Sequence, residues 1–141
     1  MAQSIREVMT KDPITCSSTD SIVDAAKAMR KEDIGDVIVL DESRQICGIV
    51  TDRDIAVKVV AENRDLTGTK LGEICTRDVA ILSPDDSVGD AIRLMKEKAI
   101  RRLPIVENGA PIGIVSIGDL AVTNDPKSLL ADISAAPSDQ P

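Results

Sequence analysis

Thr51 and Asp54 stand three residues apart where a β-branched run gives way to a helical pattern, and Ser116 and Asp119 repeat that spacing later in the chain. A hydroxyl at the end of a strand and a carboxylate in the first turn of the next helix send two oxygen ligands to one corner. The carboxylate can accept from both hydroxyls of a ribose, while the hydroxyl and the first helix amides can meet a phosphate. Gly48 and Gly113, just ahead of each hydroxyl, allow backbone to approach closely. The same spacing is also that of an ordinary N-cap whose Asp complements the helix dipole, so residue types alone leave ligand holding and capping both open.

Other chemistry is narrowed by what the 141 residues lack. There is no His, Phe, Trp or Tyr, which removes Ser-His-Asp and Cys-His pairs, His-ligated metals, imidazole pH switches and aromatic platforms for bases or cations. Any nucleobase held here lies between aliphatic side chains. Asp52-Arg53-Asp54 invites a Mg²⁺ reading, but carboxylates two apart at a helix start point away from each other. No Cys sits in an obviously basic setting. These residues argue for neither catalytic residues nor a metal site. A net charge of −7 argues against nucleic acid, which needs a basic footprint. With no long apolar window and no apolar signal core in MAQSIREVMT, the expectation is a cytoplasmic protein without a membrane span. Cys16, Cys47 and Cys75 fit neither a disulfide framework nor a CxxC zinc site.

The elements that must position these groups come from an internal repeat. The segment from Ile5 aligns with the segment from Leu71 once one loop residue is dropped, and about sixteen of roughly fifty positions are then identical. Glu7/Glu73, Asp24/Asp90, Met29/Met95, Gly48/Gly113 and Asp54/Asp119 are among them. Each copy opens with a short helix, for which Ser4 and Glu7 have capping-box spacing, and Asp12-Pro13 ends the first before an extended piece, Ile14 to Cys16. Asp20-Ser21 caps a helix whose stripe is Ile22, Ala25, Ala26 and Met29, mirrored by Val88, Ala91, Ile92 and Met95. Val37 to Leu40 and Ile46 to Val50 read as paired strands around a polar turn, and Asp52 to Val60 returns to a helical pattern. Residues 1–61 form the first copy, 62–70 a polar connector, 71–123 the second copy and 124–141 a tail. Within the tail, 127–133 has helical spacing and the final AAPSDQP is expected to be disordered. One copy buries too little surface to be comfortable alone. The expected fold is therefore α+β, with two tandem β-α-β-β-α repeats packed sheet to sheet in a pseudo-two-fold globule.

Two copies of a capped helix, a strand, and then G-I-V-T-D-R-D or G-I-V-S-I-G-D resemble the cystathionine beta-synthase (CBS) domain pair, or Bateman module, over residues 5–123. The chain is similar to the stand-alone bacterial, hypoxic-response type. The resemblance implies two nucleotide clefts between the repeats, each taking the [ST]-x-x-D of one copy with the early strand of the other. The first would use Ile49, Thr51 and Asp54 with Val79, Ala80, Arg101 and Arg102. The second would use Ile114, Ser116 and Asp119 with Ile14, Thr15, Gly35 and Asp36. Arginines suit phosphate oxygens and a carboxylate does not, so the first cleft is expected to be preferred and the second weaker.

The function implied is regulatory and not enzymatic: an adenosyl ligand such as AMP, ADP, ATP or S-adenosylmethionine alters the packing of the repeats in a homodimer joined through helical faces. The helical stripes could supply that face or could be internal core. The alternative is a protein-interaction or redox-responsive adaptor with empty clefts. In this reading Cys16 and Cys47 lie on neighbouring strands, within reach of a disulfide, with Cys75 left for an intermolecular bond.

Overall fold

The computed structural model describes residues 4–124. The expectations for 127–133 and the final AAPSDQP fall outside these residues. The helix expected after Asp20 forms as Ile22–Glu32 (α2), and its counterpart as Val88–Lys98 (α5). In each, the cap serine accepts from the amide three residues on and the aspartate there accepts in return: Asp24 N to Ser21 Oγ at 3.2 Å and Ser21 N to Asp24 Oδ2 at 3.0 Å, then 3.0 and 3.1 Å for Ser87 and Asp90. Both aspartates are thereby held below the usual carboxylate range, chiefly by the serine amide and hydroxyl. Both helices end in a left-handed residue, Asp33 and Ala99. Along their stripes Ile22, Ala25, Met29, Val88, Ala91 and Met95 are buried and are internal core, whereas Ala26, expected in the first stripe, is exposed and Ile92, expected in the second, is half-buried.

Four elements precede the first β-hairpin: Ile5–Val8 (α1), Thr10–Lys11 (β1), Thr15–Ser17 (β2) and α2. The hairpin is Asp36–Leu40 (β3) with Ile46–Thr51 (β4), and its equivalent is Arg102–Glu107 (β5) with Ala110–Ser116 (β6). Asp52–Asp54 (α3) opens a helical stretch that widens to a π-helix over Ile55–Val60, while Leu71–Ile74 (α4) and Ile117–Asn124 (α6) complete the order. The Ser4–Glu7 capping box does not form: Ser4 is the N-cap of α1 but its side chain makes no cap bond. Backbone docking replaces it.

That docking divides the chain. One compact unit holds Pro13–Val79, and the other holds, of the described residues, 4–12 with 80–124. In the first, Leu71 N bonds Asp20 O and Gly72 N bonds Ser18 O, both at 2.9 Å. In the second, Ile5 N bonds Asp86 O at 2.8 Å and Arg6 N bonds Pro84 O at 3.1 Å. Each leading helix therefore sits on the loop before the long helix of the other sequence repeat. The repeats remain the units of sequence, but the units of packing exchange their first helices.

The Pro13–Val79 unit has a sheet of order β2-β3-β4, with β2 and β3 parallel and β3 and β4 antiparallel. Val37, Val39 and Val50 pack there with Ile22, Ala25, Leu71 and Ile74. The other unit has the order β1-β6-β5, where Leu103, Ile105 and Val115 pack with Ile5, Val88, Ala91 and Met95. The halves differ at one strand. Where β2 pairs fully with β3, its counterpart contributes only the bridge Leu82–Ile105. Ile38 donates to Ile14 O at 3.2 Å; Pro104, at the equivalent place, has no N–H to give.

The sheet order also corrects the expected cysteine geometry. Cys16 lies on β2 and Cys47 on β4, with β3 between them. Two strand spacings amount to about 10 Å, beyond the ~7 Å that a disulfide spans. Cys47 instead meets Cys75, with the sulfurs 3.9 Å apart.

Candidate functional site

At each strand-to-helix corner the hydroxyl and carboxylate bind one another's backbone. Thr51 N donates to Asp54 Oδ2 at 2.9 Å and Asp54 N to Thr51 Oγ1 at 3.0 Å. Ser116 N to Asp119 Oδ2 and Asp119 N to Ser116 Oγ are both 3.1 Å. The capping alternative is thus realised in both copies. It does not exhaust either group, because each hydroxyl keeps its proton to donate and each carboxylate keeps its second oxygen.

The second oxygens differ. Asp54 Oδ1 lies 3.2 Å from Lys58 Nζ, which also donates to Ile74 O at 3.2 Å. Four residues on from Asp119 stands Thr123, which carries no charge. Lys58 is four residues from Asp54, a helical neighbour whose sign and spacing are legible in the sequence although it is absent from the expected set.

Flanking residues follow from strand register. Asp36 opens β3 opposite Thr51 at the end of β4, and Arg102 opens β5 opposite Ser116 at the end of β6. Opposed residues of antiparallel strands present side chains to one face. Asp52 N donates to Gly35 O at 2.9 Å, and Ile117 N to Arg101 O at 2.8 Å, so the same backbone bond ties each corner to the residue before its strand. Within one unit the corner carries Gly35 and Asp36, and within the other Arg101 and Arg102. The same corner of the fold is acidic in one copy and cationic in the other.

The expected sets are each drawn from both units. Of the first, Ile49, Thr51, Asp54 and Val79 lie in the Pro13–Val79 unit, and Ala80, Arg101 and Arg102 in the other. Of the second, Ile14, Thr15, Gly35 and Asp36 lie in the former, and Ile114, Ser116 and Asp119 in the latter. Inside the Pro13–Val79 unit, Ile38 is the register partner of both Thr15 and Ile49, which places those residues either side of one central strand. Ile114 is opposite Pro104 in the other unit. Ile49 and Ile114 are half-buried aliphatic side chains near the hydroxyls, as a site without aromatic rings requires.

The glycines ahead of each corner serve close approach, as expected. A β-carbon on Gly48 would collide with the Thr76 carbonyl and stand 2.9 Å from Cys75 Sγ; one on Gly113 would stand 2.5 Å from Met9 Sδ and 2.9 Å from the Thr10 carbonyl. Thr76 is bonded to Ile49 in both directions, at 3.1 and 2.9 Å. Among the described residues no group of three or more His, Cys, Asp or Glu is arranged to hold a metal, and no helix is long and apolar enough to cross a membrane.

Comparison with known proteins gives the family. The chain is 39% identical over 118 residues to the uncharacterised protein MK0525 of Methanopyrus kandleri, covering 83% of this chain and 60% of that one. It is 37% identical over 119 residues to the CBS domain-containing protein YhcV of Bacillus subtilis, covering 84% of each. The chain therefore spans about three fifths of the Methanopyrus relative and most of the Bacillus one. Among solved structures, Hypoxic Response Protein I with two coordinated zinc ions matches with a TM-score of 0.79 at 26% identity, over 84% of this chain and 97% of that chain. The CBS domain pair of protein MJ0100, in complex with 5′-methylthioadenosine and S-adenosyl-L-methionine, matches with a TM-score of 0.79 at 30% identity, over 91% of this chain and all of that chain. The family model described as CBS domain fits residues 5–61 and again 71–123. Two corners of one design, two sheets and two matched segments agree: the chain belongs to the CBS domain family.

Proposed function

We propose that this protein is a regulatory module that holds an adenosine-containing ligand, with the ribose hydroxyls on the aspartates of its strand-to-helix corners. The observation that carries the reading is the pairing, at each corner, of a hydroxyl that retains its proton with a carboxylate that uses one oxygen for the cap, the other oxygen of Asp54 being held by Lys58. The bound adenosyl compounds of the MJ0100 domain pair, a relative at 30% identity, support the ligand class. Ile49 and Ile114 supply aliphatic surface for the base, and Arg101 and Arg102 supply charge for a phosphate. With no histidine to serve as a base, the reading is recognition and not turnover.

Of the two sets, the one containing Thr51 and Asp54 with Arg101 and Arg102 is the preferred site in this reading, and the one with Ser116, Asp119 and Asp36 is weaker. Calorimetry with AMP, ADP, ATP and S-adenosylmethionine on the unmutated protein, Asp54→Ala and Asp119→Ala measures the difference. Asp54→Ala is expected to weaken binding by at least tenfold and Asp119→Ala by less. Unchanged affinity in a folded Asp54→Ala protein overturns the assignment. A nucleotide-turnover assay is expected to be flat.

The ligand acts, in this reading, through the packing of a homodimer. Val57 and Val60, which are 48% and 60% exposed on the π-helical stretch, offer apolar surface for such a contact, and a hexameric CBS-CP12 protein is among the structural relatives. Light scattering with and without S-adenosylmethionine tests the association. A monomer under both conditions rejects it.

A further inference from the structure

The Pro13–Val79 unit carries a second chemical group that the corner site does not use. Cys47 Sγ on β4 lies 3.9 Å from Cys75 Sγ, at the C-terminal end of α4. Arg77 Nη1 donates to Cys47 Sγ at 3.0 Å, and Nη2 anchors the guanidinium to Gly72 O at 2.6 Å. Cys47 and Arg77 line an open hollow of about 500 Å³ together with Lys70, Asp41 and Glu73, whereas Cys75 is not in its wall. One sulfur therefore faces the hollow with a cation on it, and the other stands behind.

We infer that Cys47 and Cys75 form a redox-active dithiol, which a hydroperoxide entering this hollow oxidises to an intramolecular disulfide. The Cys47 sulfur, which lines the hollow, gives up its proton and attacks the terminal peroxide oxygen. The O–O bond breaks, Cys47 becomes a sulfenic acid, and the departing alkoxide or hydroxide takes up the proton that Cys47 gave up. Cys75 sulfur then attacks Cys47 sulfur, the S–O bond breaks, and the hydroxide leaves as water with the Cys75 proton. Two thiols and one hydroperoxide give one disulfide, one alcohol or water, and one water, so the two electrons lost by sulfur are those gained by the O–O bond.

The surroundings divide the roles. Burial, then the neighbouring Cys47 sulfur, pushes the Cys75 thiol up and keeps it protonated until Cys47 has reacted. Gly48 leaves the space through which the sulfurs close from 3.9 Å to the ~2 Å of a disulfide. Cys16 is set apart from this chemistry: burial first, then the charges of Asp20 and Asp24, push its thiol up to about 11, and β3 separates it from Cys47. The other unit has no counterpart, because Ile112 and Met9 occupy the matching positions of the repeat.

The test uses the full chain, treated with hydrogen peroxide under native conditions, alkylated and measured by mass. The expected product is a monomeric chain that has lost two of its three thiols, with a peptide linking Cys47 to Cys75 that dithiothreitol releases. Cys75→Ser is expected to stop at a Cys47 sulfenic acid that dimedone traps. Arg77→Ala, which removes the guanidinium contact on Cys47 Sγ, is expected to slow the reaction of Cys47 with peroxide by on the order of tenfold, with Arg77→Lys restoring part of the rate. Three free thiols after peroxide, a link that includes Cys16, or a bond joining two chains would each overturn the inference. The decisive measurement is made on the unmutated protein, so a variant that fails to fold does not affect it.

Discussion

Gly48 lies directly beneath the thiol of Cys75, at a distance where a β-carbon would stand 2.9 Å from Sγ and would collide with the adjoining Thr76 carbonyl. Gly48→Ala must therefore displace backbone. Gly113 makes the same approach to Met9 and Thr10, but its nearest neighbour is the Met9 Sδ, the flexible part of a long side chain. Gly48→Ala is expected to cost about 1–3 kcal/mol and Gly113→Ala less, since the Met9 side chain can move and the Thr10 carbonyl, at 2.9 Å, has less far to shift than the Thr76 carbonyl. Urea denaturation of the two variants checks the order, and equal losses would contradict it.

The repeat made both glycines visible in sequence, and the capped helices, hairpins and corner motifs followed from periodicity and spacing. What sequence could not supply was the partner of each leading helix. Leu71 bonding to Asp20 and Ile5 to Asp86 are choices between two nearly identical loops, and local pattern does not distinguish them. The cysteines failed for the same reason. With β3 placed in the middle of the sheet Cys16 and Cys47 part, and with α4 docked on the first repeat's loop Cys75 arrives beside Cys47. Pro104 shows the opposite case: its missing N–H was in the sequence, and its effect, a strand reduced to the Leu82 bridge, needed only the register.

Ala99 ends α5 at φ 54°, with its N–H on Met95 O, as Asp33 ends α2 at φ 55°. A left-handed conformation strains alanine by roughly 1–2 kcal/mol, whereas glycine adopts it freely and aspartate tolerates it better. Ala99→Gly is expected to stabilise the protein by about 0.5–1 kcal/mol after the added freedom of the unfolded chain is deducted. Asp33→Gly should gain less. A higher midpoint of thermal unfolding for Ala99→Gly is the expected result, and a lower one would show that the helix end does not bear this strain.

Thr51 both caps α3 and stands in the proposed site, and the two roles separate by measurement. Thr51→Ala removes the acceptor for Asp54 N and is expected to cost about 1 kcal/mol in stability. Ser116→Ala, which removes the equivalent acceptor at 3.1 Å, should cost a similar amount. If the ligand reading holds, calorimetry with S-adenosylmethionine will show the two variants unequal in affinity although matched in stability. Equal and unchanged affinities would leave only the cap.

Asp24 and Asp90 give the fold a defined response to acid. Each is held below its ordinary pKa of 3.8, chiefly by the amide and hydroxyl of its cap serine, Ser21 or Ser87. A carboxylate whose folded pKa is lowered contributes stability that is complete above its unfolded value and is lost as pH falls through the folded one. Stability should therefore decline from about pH 5 downward, continuing below the point where free carboxylates have taken up their protons. In Asp24→Asn and Asp90→Asn the side chain can still accept from the serine amide but carries no charge to titrate. Each variant should be less stable than the unmutated protein at pH 7, and the gap should narrow as the pH is lowered toward about 2. Denaturant titrations across this range test the expectation. A gap that stays constant with pH would mean that the capping boxes act through geometry alone and that their charge does not contribute.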